Sequence, residues 1–290
     1  MNKRLALGTV QFGLPYGVSN QKGQVSMIEA AAILDAARGA GLDTLDTAIA
    51  YGESEQRLGA IGVQHWQVVS KLPALPDPSI DISEWVGDSV FGTLERLGLS
   101  RLYGLMLHRS AALLGPHGDA LYGALSALKD QGKVGKIGVS IYDPQELDSL
   151  PQRYKLDLVQ APFNVVDRRL YVSGWLDRLH AAGVEVHTRS AFLQGLLLMD
   201  VAKRPARFSR WQPLWDGWHC FLADHDLTAL QACLGFALSH PQIDRVVIGV
   251  LSAQQLHEIL EGVKATVIIP PKDFMSDDLD LINPSRWGTH

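Results

Sequence analysis

Eight short apolar runs, separated by stretches that read as helices, fix what this chain can fold into. The runs are Leu5–Gly8, Thr44–Thr47, Gln67–Lys71, Leu102–His108, Lys136–Ser140, Leu156–Ala161, Glu185–Arg189 and Arg245–Gly249. None alternates cleanly between apolar and polar residues. Strands buried on both faces of a parallel sheet look like this. About eight strand–helix units in strict alternation demand parallel pairing with right-handed crossovers. Two architectures satisfy that pattern: a closed (β/α)8 TIM barrel and a doubly wound open sheet. The first run is not followed by Gly-x-Gly-x-x-Gly, so the fingerprint of the open sheet is missing and the barrel is expected. Such a barrel takes about 250 residues. The 290 residues, 47% of them hydrophobic, therefore predict one α/β domain spanning 1–290.

Helix starts between the runs are legible. Ser26-Met27-Ile28-Glu29 has the form of a capping box before the Ala-rich stretch Ala30–Ala40, which Gly41 ends. Asp143-Pro144-Gln145-Glu146 supplies a cap, an N1 proline and a glutamate at N3. Ser252-Ala253-Gln254-Gln255 repeats the capping-box pattern after the last run. Further helices are expected over Glu53–Ile61, Ser83–Leu97, Asp119–Gln131, Ser173–Ala182 and Asp226–Ser239.

Two segments break the alternation. Residues 196–221 are too long for an ordinary loop and carry Trp211, Trp215 and Trp218, which argue against disorder. Lys203, Arg204, Arg207 and Arg210 make the segment basic. It reads equally as a lid that contacts phosphate and as a solvated face packed by tryptophans. Residues 269–290 form a Pro- and Asp-rich tail, expected to run along the surface.

Net charge is −5 and pI about 6.0. This gives no attraction to nucleic acid or anionic membrane. Cys220 and Cys233 are too few for a disulfide framework or a metal motif. No apolar run is long enough to span a bilayer, and Met1–Leu5 enters the first strand without a signal-peptide core. A soluble cytoplasmic protein is the expectation.

Chemistry concentrates at three successive strand ends. Asp46, Lys71 and His108 each close an apolar run, and Tyr51 follows Asp46 by five residues. In a barrel the carboxyl ends of the strands converge on one face, and neighbouring strands lie about 4.8 Å apart. Asp46 can then pair with Lys71. A tyrosine ordinarily titrates near 10, and a nearby ammonium favours the phenolate and lowers that value. His108 is placed to orient a substrate oxygen toward Tyr51. Such a set can trade a proton with an alkoxide or alcohol. Taken singly, each residue has a structural explanation: a loop cap, a solvated strand end, a core imidazole, a loop aromatic. Their combination points to an active site.

These residues carry a resemblance. Asp46-Thr47-Ala48-Ile49-Ala50-Tyr51-Gly52-Glu53-Ser54-Glu55-Gln56-Arg57-Leu58-Gly59, with Leu7-Gly8-Thr9-Val10-Gln11, Ser70-Lys71-Leu72 and Leu107-His108, resembles the aldo-keto reductase superfamily. The resemblance covers nearly the whole chain. It implies a (β/α)8 barrel, a monomer, and NAD(P)H-dependent reduction of a small carbonyl compound, or the reverse reaction. Tyr51 is implied as acid/base, with Lys71 and Asp46 as its tuners and His108 as orienter. Ser140 and Gln160 resemble the residues that hold the nicotinamide carboxamide, and Asn164 lies just beyond. Gly249, Ser252 and Gln255 belong to the loop and helix start that take the adenosine phosphate, where amides and the helix dipole favour an anion. Gly8–Gly13 and Arg189–Leu196 are similar to a bacterial subgroup found near surface-polysaccharide genes, which points to sugar-like substrates.

Two positions depart from the pattern. Arg189 stands where the family usually has an aromatic ring stacked on the nicotinamide. A guanidinium plane can stack there too, but its charge disfavours the oxidised, cationic ring and so leans toward reduction. Leu251 stands near a usual Lys or Arg that pairs with the 2′-phosphate. The resemblance favours NADP(H), and Leu251 leaves NAD(H) open. Two other readings compete: a metal-dependent hydrolase with Asp46, His108 and His187 as ligands, which lacks the usual His-x-His pair, and a non-catalytic cofactor-binding regulator.

Overall fold

In the computed structural model, residues 2–76 and 80–287 are described. The last three residues of the expected tail lie outside them. Eight strands close into a barrel in chain order: β1 (Leu5–Gly8), β2 (Thr44–Asp46), β3 (Gln67–Leu72), β4 (Leu102–Leu107), β5 (Val134–Ser140), β6 (Leu158–Pro162), β7 (Glu185–Arg189) and β8 (Arg245–Gly249). Every pairing is parallel, and β1 closes on β8 with Gly8 opposite Gly249. The chain forms a single domain, as the alternation predicts.

Side chains alternate across a strand, and that rule sorts the residues into two cores. Leu45, Val68, Leu105, Leu107, Val159 and Val186 join the large apolar cluster between sheet and helices. Val69, Met106 and Leu158 form a separate small cluster. Two residues beyond them, on the same faces, stand Lys71, His108 and Gln160. The carboxyl end of the barrel is thus one layer above an apolar floor.

The sequence patterns hold for most helices and depart in four informative places. In the helix Ala253–Gly262, Ser252 caps Gln255 N, but Gln255 accepts from Leu251 N and not from Ser252 N, so the expected box stays open. Asp143-Pro144-Gln145-Glu146 does make a full capping box, but on a short 3₁₀ turn over Pro144–Leu147. The Ser26 hydroxyl caps the Met27–Gly39 helix, yet Glu29 does not return the bond to Ser26. The segment expected as a long loop contains a 13-residue helix, Gln212–Asp224. Trp215, Trp218 and Leu222 bury one face of it, a helical spacing readable behind Pro213. The indoles of Trp215 and Trp218 donate to Phe208 O and Leu197 O.

Most of the basic side chains here are occupied structurally. Arg204 lies 4.3 Å over the Trp215 ring, Arg207 donates to Trp287 O, and Arg210 pairs with Asp278. Of the four, only Lys203 lines the central cavity. The tail packs by burying Phe274, Leu281, Ile282 and Trp287. Among the described residues, no helix is long and apolar enough to cross a membrane.

Candidate active site

A cavity of about 820 Å³ opens at the carboxyl ends of the strands. Asp46, Tyr51, His108, Ser140, Gln160 and Arg189 line it, and so do Gly249, Leu251, Gln255 and Glu258 from the end of β8 and the helix that follows. Lys71 sits behind Asp46 and Tyr51, almost wholly buried. Its ammonium donates to Asp46 Oδ1 at 2.6 Å, to Thr47 O at 2.9 Å and to the Tyr51 hydroxyl at 3.4 Å. The Tyr51 and His108 rings meet edge to face with centroids 5.8 Å apart. The structure therefore brings the four expected residues together. Ser252 caps its helix and does not line the cavity.

The electrostatics differ from the expectation in one respect. Burial pushes the Tyr51 hydroxyl above its usual value, and Lys71 pulls it back only in part. Desolvation outweighs the neighbouring cation here. Tyr51 holds its proton, as an acid must. Burial alone would depress the Lys71 ammonium, but Asp46 and Tyr51 outweigh it and raise its pKa. Lys71 is a fixed cation.

His108 is pushed down to about 4, first by burial and then by the charge of Lys71. Its imidazole is neutral and can donate a hydrogen bond. An unfolded His titrates near 6.5, so the unfolded chain binds this proton first. Stability is lost as pH falls from about 6.5 toward 4, by up to about 3 kcal/mol. A proton NMR titration should show the His108 ring unchanged between pH 8 and about 5. A midpoint near 6.5 would refute the neutral assignment.

Gln160 donates to Asp46 Oδ2 at 2.7 Å, so it holds the carboxylate whose other oxygen binds Lys71. Ser140 faces the cavity beside it in register. Asn164 is buried and bound to Ser190 O and to the amides of Val166 and Asp167, fixing the loop. Arg189 lies 4.6 Å over the Tyr142 ring and donates to Ile141 O at 3.1 Å. Sequence reasoning misses Tyr142, because its role depends on a contact between two loops. His187 is bound to Glu185 within its own strand at 2.7 Å and does not join Asp46 and His108.

Much of the long motif around Tyr51 is scaffold. The Ser54 hydroxyl donates to Thr9 O at 2.9 Å, pinning the tyrosine loop to β1. Glu55 is buried, accepts from Ser70 at 2.7 Å and pairs with Arg96 at 2.7 Å. A methyl group on Gly13 would stand 1.7 Å from Tyr51 O and 2.7 Å from Ser54 N, both backbone atoms. Gly13→Ala must therefore move the tyrosine loop. We expect it to cost at least about 3 kcal/mol, read from urea unfolding. A loss under about 1 kcal/mol would show that the contact yields easily.

Over the cavity mouth, Ser190, Leu193 and Gln194 adopt left-handed φ of 62°, 48° and 53°, followed by Gly195 at 89°. Such backbone is strained and persists where its surroundings hold it. Gln194 donates to the Tyr16 hydroxyl at 2.8 Å, tying this loop to the one after β1.

The sequence profile of the Aldo/keto reductase family matches residues 4–272. The chain belongs to that family. An aldo-keto reductase of Mycolicibacterium vanbaalenii is 34% identical over 133 residues, covering 44% of this chain and 46% of the relative, so the chain spans about half its length. An aldo-keto reductase structure from Pseudomonas aeruginosa aligns with TM-score 0.67 and 24% identity, covering 90% of this chain and 89% of that one. The holo form of aldo-keto reductase AKR11C1 from Bacillus halodurans aligns with TM-score 0.73 and 20% identity, covering 91% and 88%. These likenesses establish the shared barrel.

Proposed function

We propose that this aldo-keto reductase family member reduces a small aldehyde or ketone with a nicotinamide dinucleotide. The observation that carries the reading is the buried line Asp46–Lys71–Tyr51 ending, beside a neutral His108, in one cavity. The cavity suits a dinucleotide: its volume lies in the range of ligand sites, and Gly249 and Gln11, packed against each other, line its wall without a bulky side chain between them.

A bound dihydronicotinamide would supply the hydride. Tyr51 delivers the proton from its hydroxyl to the nascent alkoxide. The Lys71 ammonium stabilises the phenolate left behind, and Asp46, clamped by Gln160, keeps Lys71 charged and in place. His108 donates to the carbonyl oxygen and steers it toward Tyr51. Ser140, Gln160, Gly249 and Gln255 are proposed to hold the dinucleotide along the cavity wall. One face of the Arg189 guanidinium rests on Tyr142, and its charge disfavours an oxidised, cationic ring beside it. Together with a protonated Tyr51, this favours reduction.

Around the proposed carbonyl position the cavity also carries the hydrogen-bonding groups of Tyr16, Asn20, Tyr142, Ser190 and Gln194. Leu14, Phe192, Leu198 and Met199 line the same cavity, so the reading covers a sugar-like carbonyl compound and a less polar aldehyde or ketone alike. The test mixes the protein with NADH or NADPH and a panel of hydroxyaldehydes, simple aldehydes and ketones, and follows the reduced-nicotinamide absorbance. Carbonyl-dependent oxidation is the expected result. Tight dinucleotide binding with no turnover of any carbonyl compound would favour the regulator instead.

A further inference from the structure

The capping box written in Ser26-Met27-Ile28-Glu29 does not close, and the reason bears on the cofactor. Ser26 Oγ accepts from Glu29 N at 3.2 Å, but the Glu29 carboxylate leaves its own helix. It accepts instead from Ala253 N at 2.7 Å, across the barrel seam between the chain's first and last units. Ala253 opens the helix Ala253–Gly262. Two other amides at that turn are also taken. Gln255 Oε1 accepts from Leu251 N at 2.8 Å, and Ser252 Oγ accepts from Gln255 N at 3.2 Å. A helix start ordinarily offers such amides, and the positive end of its dipole, to an anion. Here the anion is already the protein's own carboxylate.

If the cavity holds a dinucleotide, as proposed above, its two halves can be assigned to the two groups of lining residues. Hydride and proton must reach the same carbonyl, so the nicotinamide half lies beside Tyr51. The adenosine half is left with the group that follows β8, among Leu251, Gln255, Glu258 and Ile259. We propose that Glu29, with Leu251 and Glu258, makes this site select NAD(H) over NADP(H). The two dinucleotides differ only by the 2′-phosphate. That group would meet the Leu251 side chain and the Glu258 carboxylate in the cavity, while Glu29, outside the lining, already holds the Ala253 amide behind them. Among the described residues lining the cavity, the lysine and arginine side chains are Arg189, stacked on Tyr142 and bonded to Ile141 O, and Lys203, paired with Asp200 at 2.9 Å. A free 2′-hydroxyl carries no charge and can donate to a carboxylate, as ribose does in other NAD sites.

The test is a fluorescence or calorimetric titration, which needs no turnover. NADH and NADPH are compared, then 5′-AMP and 2′,5′-ADP, which report on this half alone. NADH should bind at least about tenfold tighter than NADPH, with the fragments following the same order; tenfold is about 1.4 kcal/mol. Glu29→Gln should narrow the NADH-to-NADPH ratio several-fold. Leu251→Arg, which leaves the Glu29 bond in place, should narrow it too. The preference should also weaken as salt rises. Equal or tighter binding of NADPH by the native chain overturns the proposal. So does an unchanged ratio in both variants, shown folded by circular dichroism. Failure of both dinucleotides to bind is a different result: it refutes the dinucleotide reading itself and removes this inference with it.

Discussion

Tyr51→Phe is expected to slow carbonyl reduction by about 10²–10⁴-fold while leaving dinucleotide affinity nearly unchanged. The substitution removes one oxygen and little else. The ring stays edge-on to His108 and 5.0 Å from the Lys71 ammonium. Lys71 loses its longest bond, at 3.4 Å, but keeps Asp46 at 2.6 Å and Thr47 O at 2.9 Å. The fold should therefore survive with a loss of about 1 kcal/mol or less. What disappears, on the proposed mechanism, is the proton that meets the alkoxide. Single-turnover rates and a binding titration on the same preparation separate the two effects. A fall smaller than about tenfold would mean that water or His108 delivers the proton, and Tyr51 would be demoted to a wall of the cavity.

Much of the site behind that expectation is legible in the sequence. Asp46, Lys71, His108, Ser140, Gln160 and Arg189 close or immediately follow apolar runs, and a barrel gathers strand ends on one face. The alternation of side chains then aims Lys71, His108 and Gln160 inward above Val69, Met106 and Leu158. Local patterns succeed wherever the partner of a residue lies in the same element or in the next strand. They fail where the partner is remote. Glu29 has the local form of a capping residue, yet its partner is Ala253 at the far end of the chain. Gln160 lines the cavity as a strand-end amide should, but its bond to Asp46 across the barrel is not legible, since β2 and β6 stand on opposite sides of the closed sheet. The pKa of Tyr51 depends on the balance of burial against one cation, and sequence supplies the cation without the burial. The tryptophan segment fails differently: a helical spacing is present in Trp211, Trp215 and Trp218, but the length of the segment reads as a loop.

The interior ion pair should show the largest stability effect. Lys71→Met leaves the Asp46 carboxylate buried with only the Gln160 amide as partner, and we expect a loss of about 3–5 kcal/mol in urea unfolding. Asp46→Asn strands the ammonium in the same way and should cost a similar amount. Removing both charges together is a different experiment. Desolvation weighs heavily on a buried pair, so the double variant Asp46→Asn, Lys71→Met should cost clearly less than the two singles added, by about 2 kcal/mol or more. Activity should not recover in the double variant, because the phenolate formed at Tyr51 would have no cation beside it. This split separates two roles that coincide in the native chain. Strict additivity of the stability losses would show that the two charges do not depend on each other, and Lys71 could not then be a cation held in place by Asp46. Recovery of the rate along with stability would show that Lys71 matters to the fold and not to proton transfer.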